Sequence, residues 1–459
     1  MPGTPFPLAK SSTPGSRPGE GEGRYFNCSP VIEGDRFYVR RTPGLAKLLT
    51  TGGSAPFRGG IDINGVKYVV LGTTVYKITG TTPTALTGSI PGSDGVTLAR
   101  NNKVTDGVST PDVVAVRESG GAYVISTTAV SSYPDADLPS NVNSVTFLEG
   151  FLLFSIADGR YFASELNSTD INALSFATAE SRSDGLRRVI VRGNISYAMG
   201  ETTIEPWKNI GTSPFPLQRS PTVMQVGLLT TMAVAGFEDS WNAPTFFVSS
   251  DRRVMALAGY ETSPVSTPDV ERFLSASTAS TVEVSAYVWK GRSFIAVSSD
   301  AGSWVYDVTA KGWHERGSTG ATRWRAKLSF VSSGQWVFGD VLSGDLLVMS
   351  DTLTENGAAI GGFVQTGPLK DFPSRIATKL SADFTEAAIT IYVSWSHDGG
   401  KTWSTELQRS ITDAEKWPMA VANLGLSTQA GIIAKFRWEG PQDFSFMGAT
   451  ATRLFGEAA

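Results

Sequence analysis

The sequence predicts an all-β protein: a β-propeller-like body followed by a small C-terminal β-sandwich-like domain. Three observations lead there. Short apolar runs of strand length recur along the chain, each bounded by a glycine or an Asp/Asn turn. Their starts return at a near-constant interval, and helix-length periodic segments are scarce. Glycine accounts for 48 of 459 residues and stands singly, in turn positions that need positive φ.

Taken in order, residues 1–45 read as an extended arm. Its first 23 residues are rich in Pro, Gly and Ser, are hard to bury, and lack the apolar stretch of a signal peptide. Such an arm is expected to find partners on a neighbouring subunit. The body, 46–355, is built of strand pairs. Residues 66–70 (VKYVV) turn through Gly72 into 75–78 (VYKI), and 147–155 (FLEGFLLFS) pass through Asp158-Gly159 into RYFAS. Residues 189–199 (VIVRGNISYAM) break at Gly200 before TTIEPW, and 246–249 lead through Asp251 into VMALAGY. Residues 287–298 (YVWKGRSFIAVS) lead into WVYDV, and 330–340 (FVSSGQWVFGD) turn at Ser343-Gly344 into LLVMS.

Each unit reads as strand, glycine turn, strand, tight turn, strand. Starts near 147, 189, 246, 287 and 330 lie roughly 40 to 57 residues apart, the period of propeller blades with one four-stranded sheet per repeat. Pairs at 61–79 and 113–126 would add blades. No signature dipeptide marks the repeats, so a large multi-sheet sandwich is the competing architecture. Thr267-Pro268 opens PDVERFL as a short helix, with a capping residue and proline at the first position. Residues 168–179 are expected to hold another helical turn or two. The segment 356–362 (NGAAIGG) reads as a flexible hinge, and ITIYVSWS and IIAKFRW beyond it alternate as strands in a separate domain, 356–459.

Composition excludes several functions. With 39 basic against 43 acidic residues and a net charge of −4, the chain lacks the cation excess of a dedicated nucleic-acid binder. The single cysteine, Cys28, precludes an intrachain disulfide and reads as an inert thiol. The longest apolar stretch, 224–237, falls short of the ~20 residues of a membrane helix, so a soluble product folded in a reducing compartment is expected. Two histidines, His314 and His397, leave little for a metal centre or a histidine-dependent triad. No phosphate-binding glycine loop or dinucleotide fingerprint appears. No catalytic, cofactor-binding or metal residue is therefore assigned.

Four local features remain. Ser396-His397-Asp398-Gly399-Gly400-Lys401-Thr402-Trp403 fits the Asp-box pattern, in which Asp398 caps a tight turn, Gly400 supplies positive φ and Trp403 packs beneath the hairpin. It is a folding device, and residues 299–304 (SDAGSW) are a degenerate echo. Glycoside hydrolysis needs two positioned carboxylates, and 43 acids offer no pair that spacing selects. Arg182, Arg187, Arg188 and Arg192 form a basic cluster that suits either a contact with a polyanion or acidic neighbour, or a solvated hairpin face. Trp313 with Arg316, and Trp324 between Arg323 and Arg325, suit an interface or a blade edge equally.

A resemblance enters at residues 174–211. LSFATAE (174–180), Ser183-Asp184-Gly185 and GETTIEPW (200–207), which includes Ile204, Glu205 and Trp207, resemble the tail nozzle proteins of short-tailed bacteriophages. These are also called tail accessory or packaged-DNA-stabilisation proteins. The likeness continues through Asp239-Ser240, Ala258-Gly259-Tyr260, VSTPDVE (265–271), WVYD (304–307), WHER (313–316) and Asp398-Gly399-Gly400. Upstream, Asn27-Cys28 and Thr42-Pro43-Gly44-Leu45 fit the family's opening; the Pro/Gly-rich arm and a gap before residue 140 depart from it. The resemblance implies a propeller body and a homo-hexameric ring beneath the portal and its head-to-tail adaptor. Its lumen would be the last section of the DNA exit channel, with a tail needle or plug and tailspikes or fibres as neighbours. Genome DNA would pass without specific binding, in a virion protein made in the host cytoplasm. It implies no catalytic residue and no cofactor. The alternative is a propeller glycosidase or a receptor-binding tail protein acting on host surface polysaccharide.

Overall fold

A computed structural model describes residues 3–53, 56–179, 184–370, 376–385, 388–412, 419–426 and 428–453. The described chain is almost entirely strand and divides into two compact units. One comprises residues 47–301 and 325–348; the other gathers 1–46, 302–324 and 349–459.

The first unit is a β-propeller. Five four-stranded antiparallel sheets follow one another, starting at Phe57–Ile63, Val96–Arg100, Val142–Leu148, Leu186–Arg192 and Val234–Ala235. Two further inner strands, Glu283–Trp289 and Ala326–Ser332, complete a set of seven. Inner strands touch their neighbours at six of the seven junctions, and Ala326–Ser332 returns to Phe57–Ile63. At the seventh, Arg188 and Arg192 on Leu186–Arg192 reach the carbonyls of Thr231 and Trp241, which flank Val234–Ala235, so the ring closes on itself. The closure is reinforced by the start of the unit: Thr50 donates to Asp345 at 2.6 Å and Lys47 pairs with it at 3.7 Å.

Why the blades pack together is visible in the strands next to the inner ones. Val69, Val114, Leu152, Ala198, Phe247, Ile295 and Val337 are fully or almost fully buried on the second strand of each blade, where a strand covered on both faces reads as a continuous apolar run. The polar residues left inside are used between blades. The Val145 N–H donates to Thr97 Oγ1 at 3.0 Å, Val189 N–H to Ser144 Oγ at 2.9 Å, and Ala286 N–H to Ser329 Oγ at 3.2 Å. The register slips between Val142 and Ser144, Leu186 and Arg188, and Lys327 and Ser329. Such bulges free a backbone N–H and re-aim a side chain toward the neighbouring sheet.

Several local expectations change. Residues 168–179 form the strand Ile171–Thr178 instead of helical turns. Ser168 and Asp170 hydrogen-bond each other in a tight turn, and Phe176 then stacks across the pair on Phe162 at 5.1 Å, which fixes the segment as a strand. The helix Pro268–Ala276 is present, yet Thr267 does not cap it through its side chain. Ser266 Oγ bonds Glu271 at 2.9 Å in its place.

The second unit holds two sheets. In one, Arg24–Phe26 pairs with both Gly312–Glu315 and Gly362–Gln365, and the sheet continues through Ile433–Trp438 and Ile389–Ser396 to Leu407–Ile411. In the other, Cys28–Glu33, Arg36–Arg41, Ser445–Arg453, Ile376–Phe384 and Met419–Leu426 lie side by side. Tyr25, Val39, Leu380, Ile391, Phe436 and Phe446 from both sheets share one buried cluster. The first 45 residues thus supply strands to this unit, and Phe6 is buried in its core. Residues 356–362, expected as a flexible hinge, contain a tight hairpin: Asn356 (φ 50°) and Gly357 (φ 87°) join Thr354–Glu355 to Ala358–Ala359.

Candidate functional site

Five of the family-motif residues, Asp184, Gly185, Ile204, Glu205 and Trp207, meet at the fourth blade. Asp184 accepts from Thr202 N–H at 2.7 Å, Thr202 Oγ1 at 2.8 Å and Thr203 N–H at 3.0 Å, so one carboxylate ties the entry of this blade to its second turn. Gly185 is pressed against the Ala157 carbonyl, where a Cβ would collide. Ile204 is fully buried and exchanges both backbone bonds with Met224 at 3.0 Å. Glu205, also buried, pairs with Arg219 at 3.4 Å. Trp207 packs edge-on against Tyr161 at 5.8 Å and Phe215 at 5.9 Å. The set braces the fourth blade and its junction with the third, which supplies Ala157 and Tyr161.

The basic cluster is dispersed. Arg182 lies outside the described residues. Arg187, on the surface, pairs with Glu201 at 2.7 Å. Arg188 donates to the Thr231 carbonyl at 2.7 Å and stacks over Phe237 at 4.9 Å, and Arg192 donates to the Trp241 carbonyl at 2.6 Å. The latter two are half-buried. They line a cavity of about 890 Å³ at the centre of the propeller, with Asp62, Arg100, Glu238 and Asp239. Burial pushes the Arg188 guanidinium down to about 10, against the pull of Glu238 and Glu118. It also pushes the Glu118 and Glu238 carboxyls up. Strand alternation places Arg188 and Arg192 on one face, but nothing in the sequence says that this face is the inner one.

The Trp–Arg pairs are buried too. Trp313 is 1% exposed and Trp324 fully buried. Arg316 stacks on Trp324 at 3.9 Å and donates to the Pro43 carbonyl at 2.6 Å; Glu355 accepts from Trp324 Nε1 at 2.8 Å and faces Arg316 at 3.4 Å. Arg325 pairs with Asp340 inside the propeller unit. Of the two readings open for these residues, the exposed interface does not hold. Cys28 is buried, and burial raises its thiol well above the usual range.

In the Asp-box turn, Asp398 accepts from Thr402 N–H at 2.9 Å and Thr402 Oγ1 at 2.6 Å, while Ser396 Oγ takes the Gly400 N–H at 2.8 Å. These bonds, Thr402 first, hold the Asp398 carboxyl far below the usual carboxylate range. Gly399 and Gly400 adopt φ of 75° and 94°. Trp403 is 37% exposed and stays tied to the turn, its Nε1 donating to the Gly400 carbonyl at 3.2 Å. Among the described residues, no three His, Cys, Asp or Glu side chains gather as a metal site. No described helix is long and apolar enough to cross a membrane.

The family model described as "Bacteriophage P22 Gp10, beta-propeller", of the phage stabilisation proteins, matches residues 27–354. The chain belongs to this family. Membership supports a structural role in the phage tail and a place in the virion. The match includes the braced blade and begins at Asn27, in the segment that supplies strands to the second unit.

None of the curated proteins matches the chain. Among solved structures, BBS1N in complex with ARL6DN is similar at 10% identity and a TM-score of 0.41, over 68% of this chain and 97% of that one. The WD40 β-propeller domain of Doa1 is similar at 11% identity and 0.41, over 67% and 97%. BamB from Moraxella catarrhalis is similar at 12% identity and 0.39, over 70% and 93%. These likenesses are weak, and no functional argument rests on them.

Proposed function

We propose that this protein is the nozzle of a short phage tail. Six copies form a ring below the portal and its head-to-tail adaptor. The lumen is the last section of the DNA exit channel, closed by a needle or plug until ejection, with tailspikes or fibres alongside. The observation that carries this reading is the family match across 27–354.

Physical chemistry supports it. A conduit should not hold the phosphates that pass through it, because each neutralised phosphate adds an attraction that slows transit. A net charge of −4 over 459 residues meets that requirement. A ring of identical, head-to-tail contacts closes only at one rotation per subunit, so a definite copy number is required. The role is mechanical, and buried, hydrogen-bonded β blades resist local opening. Quantitative mass spectrometry of purified virions tests this: about six copies per particle are expected, whereas one copy or dozens would contradict the ring.

A further inference from the structure

The junction between the fourth and fifth blades is built unlike the other six. The fifth inner strand has two residues, Val234–Ala235, and side chains make the join. Arg188 Nη1 donates to the Thr231 carbonyl at 2.7 Å, and Thr231 Oγ1 donates back to the Arg187 carbonyl at 3.0 Å. Arg192 reaches the Trp241 carbonyl at 2.6 Å. Glu118, from the second blade, joins at the same point: its Oε1 accepts the Thr231 N–H at 3.3 Å.

The charges gathered here do not balance. Arg188 stacks on Phe237 at 4.9 Å and feels two carboxyls, Glu118 and Glu238. All three residues are half-buried. Glu238 Oε2 accepts the Gly236 N–H at 2.7 Å. With both carboxyls ionised, the cluster carries one negative charge more than Arg188 can answer. Burial has already pushed both carboxyls up, and unbalanced charge away from water is costly. Neighbouring cations are engaged elsewhere. Arg58 and Arg117 hold Asp94, which also faces Glu118, at 3.3 Å and 3.2 Å. The central cavity beside Arg188 and Glu238 is lined by Arg192 and Arg100, and by the carboxylates of Asp62 and Asp239.

We propose that this junction is a proton-controlled latch. It is tight while Glu118 and Glu238 hold one proton between them, which leaves a single carboxylate for Arg188, and it loosens when both are charged. Residues 237–240 line the central cavity of about 890 Å³ together with Arg188 and Arg192, so the latch sets how freely that wall moves. The direction follows from linkage. Both carboxyls titrate higher in the folded protein, so the stability they contribute is complete below the unfolded values and is lost as pH rises through the folded ones. The latch belongs to one chain and does not depend on a ring.

The test is hydrogen exchange of the full-length protein, read by mass spectrometry from about pH 5 to about pH 9 and corrected for the pH dependence of intrinsic exchange. Peptides covering 229–241 report on the latch, and peptides covering 142–156, in the third blade, are the reference. Protection over 229–241 should fall at least about tenfold across that range, and the reference should change less. Glu238→Gln and Glu118→Gln each leave one carboxylate opposite Arg188, so in at least one of them protection should stay high throughout. Flat protection in the wild type, an equal loss at the reference, or the wild-type pH dependence persisting in both variants would each overturn the proposal. The first two comparisons need no variant and decide even if both variants misfold.

Discussion

Asp184 and Asp398 do the same job in different sheets: one carboxylate collects the donors of a tight turn. The pH behaviour of Asp398 follows from the sign of its shift. Its folded carboxyl titrates below its unfolded value, so the contribution to stability is complete above the unfolded value and is lost as pH falls through the folded one. Asp398→Asn should therefore be less stable than wild type at neutral pH, by about 0.5–1 kcal/mol after allowance for solvent exposure. The gap should narrow as the medium becomes strongly acidic, and urea unfolding at several pH values would show it. Glu355 is a harsher case, because Arg316 and Trp324 both lean on it in the interior. Glu355→Ala leaves a buried guanidinium uncompensated and should cost about 3–5 kcal/mol. The double variant Arg316→Met with Glu355→Leu should lose less than Glu355→Ala alone, as a double-mutant cycle in guanidinium chloride would report.

Among the elements, hydroxyl bridges join neighbouring inner strands at three of the blade junctions. Ser144→Ala strands the Val189 N–H and should destabilise by about 1–3 kcal/mol. Faster hydrogen exchange at Val189, with Val145 unchanged because Thr97 holds its N–H, would localise the effect to that junction. Gly339 faces the Phe57 ring so closely that a methyl group would overlap it. Gly339→Ala should then cost about 1–3 kcal/mol by overpacking, read as a lowered melting temperature. These elements also show what the sequence made legible. The blade interiors were, because runs such as VKYVV, FLLFS and VIV must be buried on both faces, and glycine turns separate them at a steady interval. The outer strand Ile171–Thr178 was not, since at an edge the apolar alternation relaxes, and three consecutive exposed residues, Asn172, Ala173 and Leu174, look helical or loop-like. The burial of Arg316 and Trp324 was equally hidden. A cation beside an aromatic ring reads alike at an interface and in a core until the carbonyls that satisfy it are located.

At the scale of the whole molecule, the account is of a part whose work is shape. The described residues spend their buried charges on holding turns, blades and junctions together, and the family to which the chain belongs is one of phage stabilisation proteins. In the nozzle proposed for it, the weak negative charge would keep the wall of a DNA passage non-adhesive, and a ring would follow from repeating one contact until it closes. The measurement that tests this most directly is a reconstruction of the intact tail at a resolution that traces side chains. The account predicts this polypeptide in about six symmetric copies around the DNA outlet. Finding it away from the outlet, or as a lone copy on a fibre, would contradict the account.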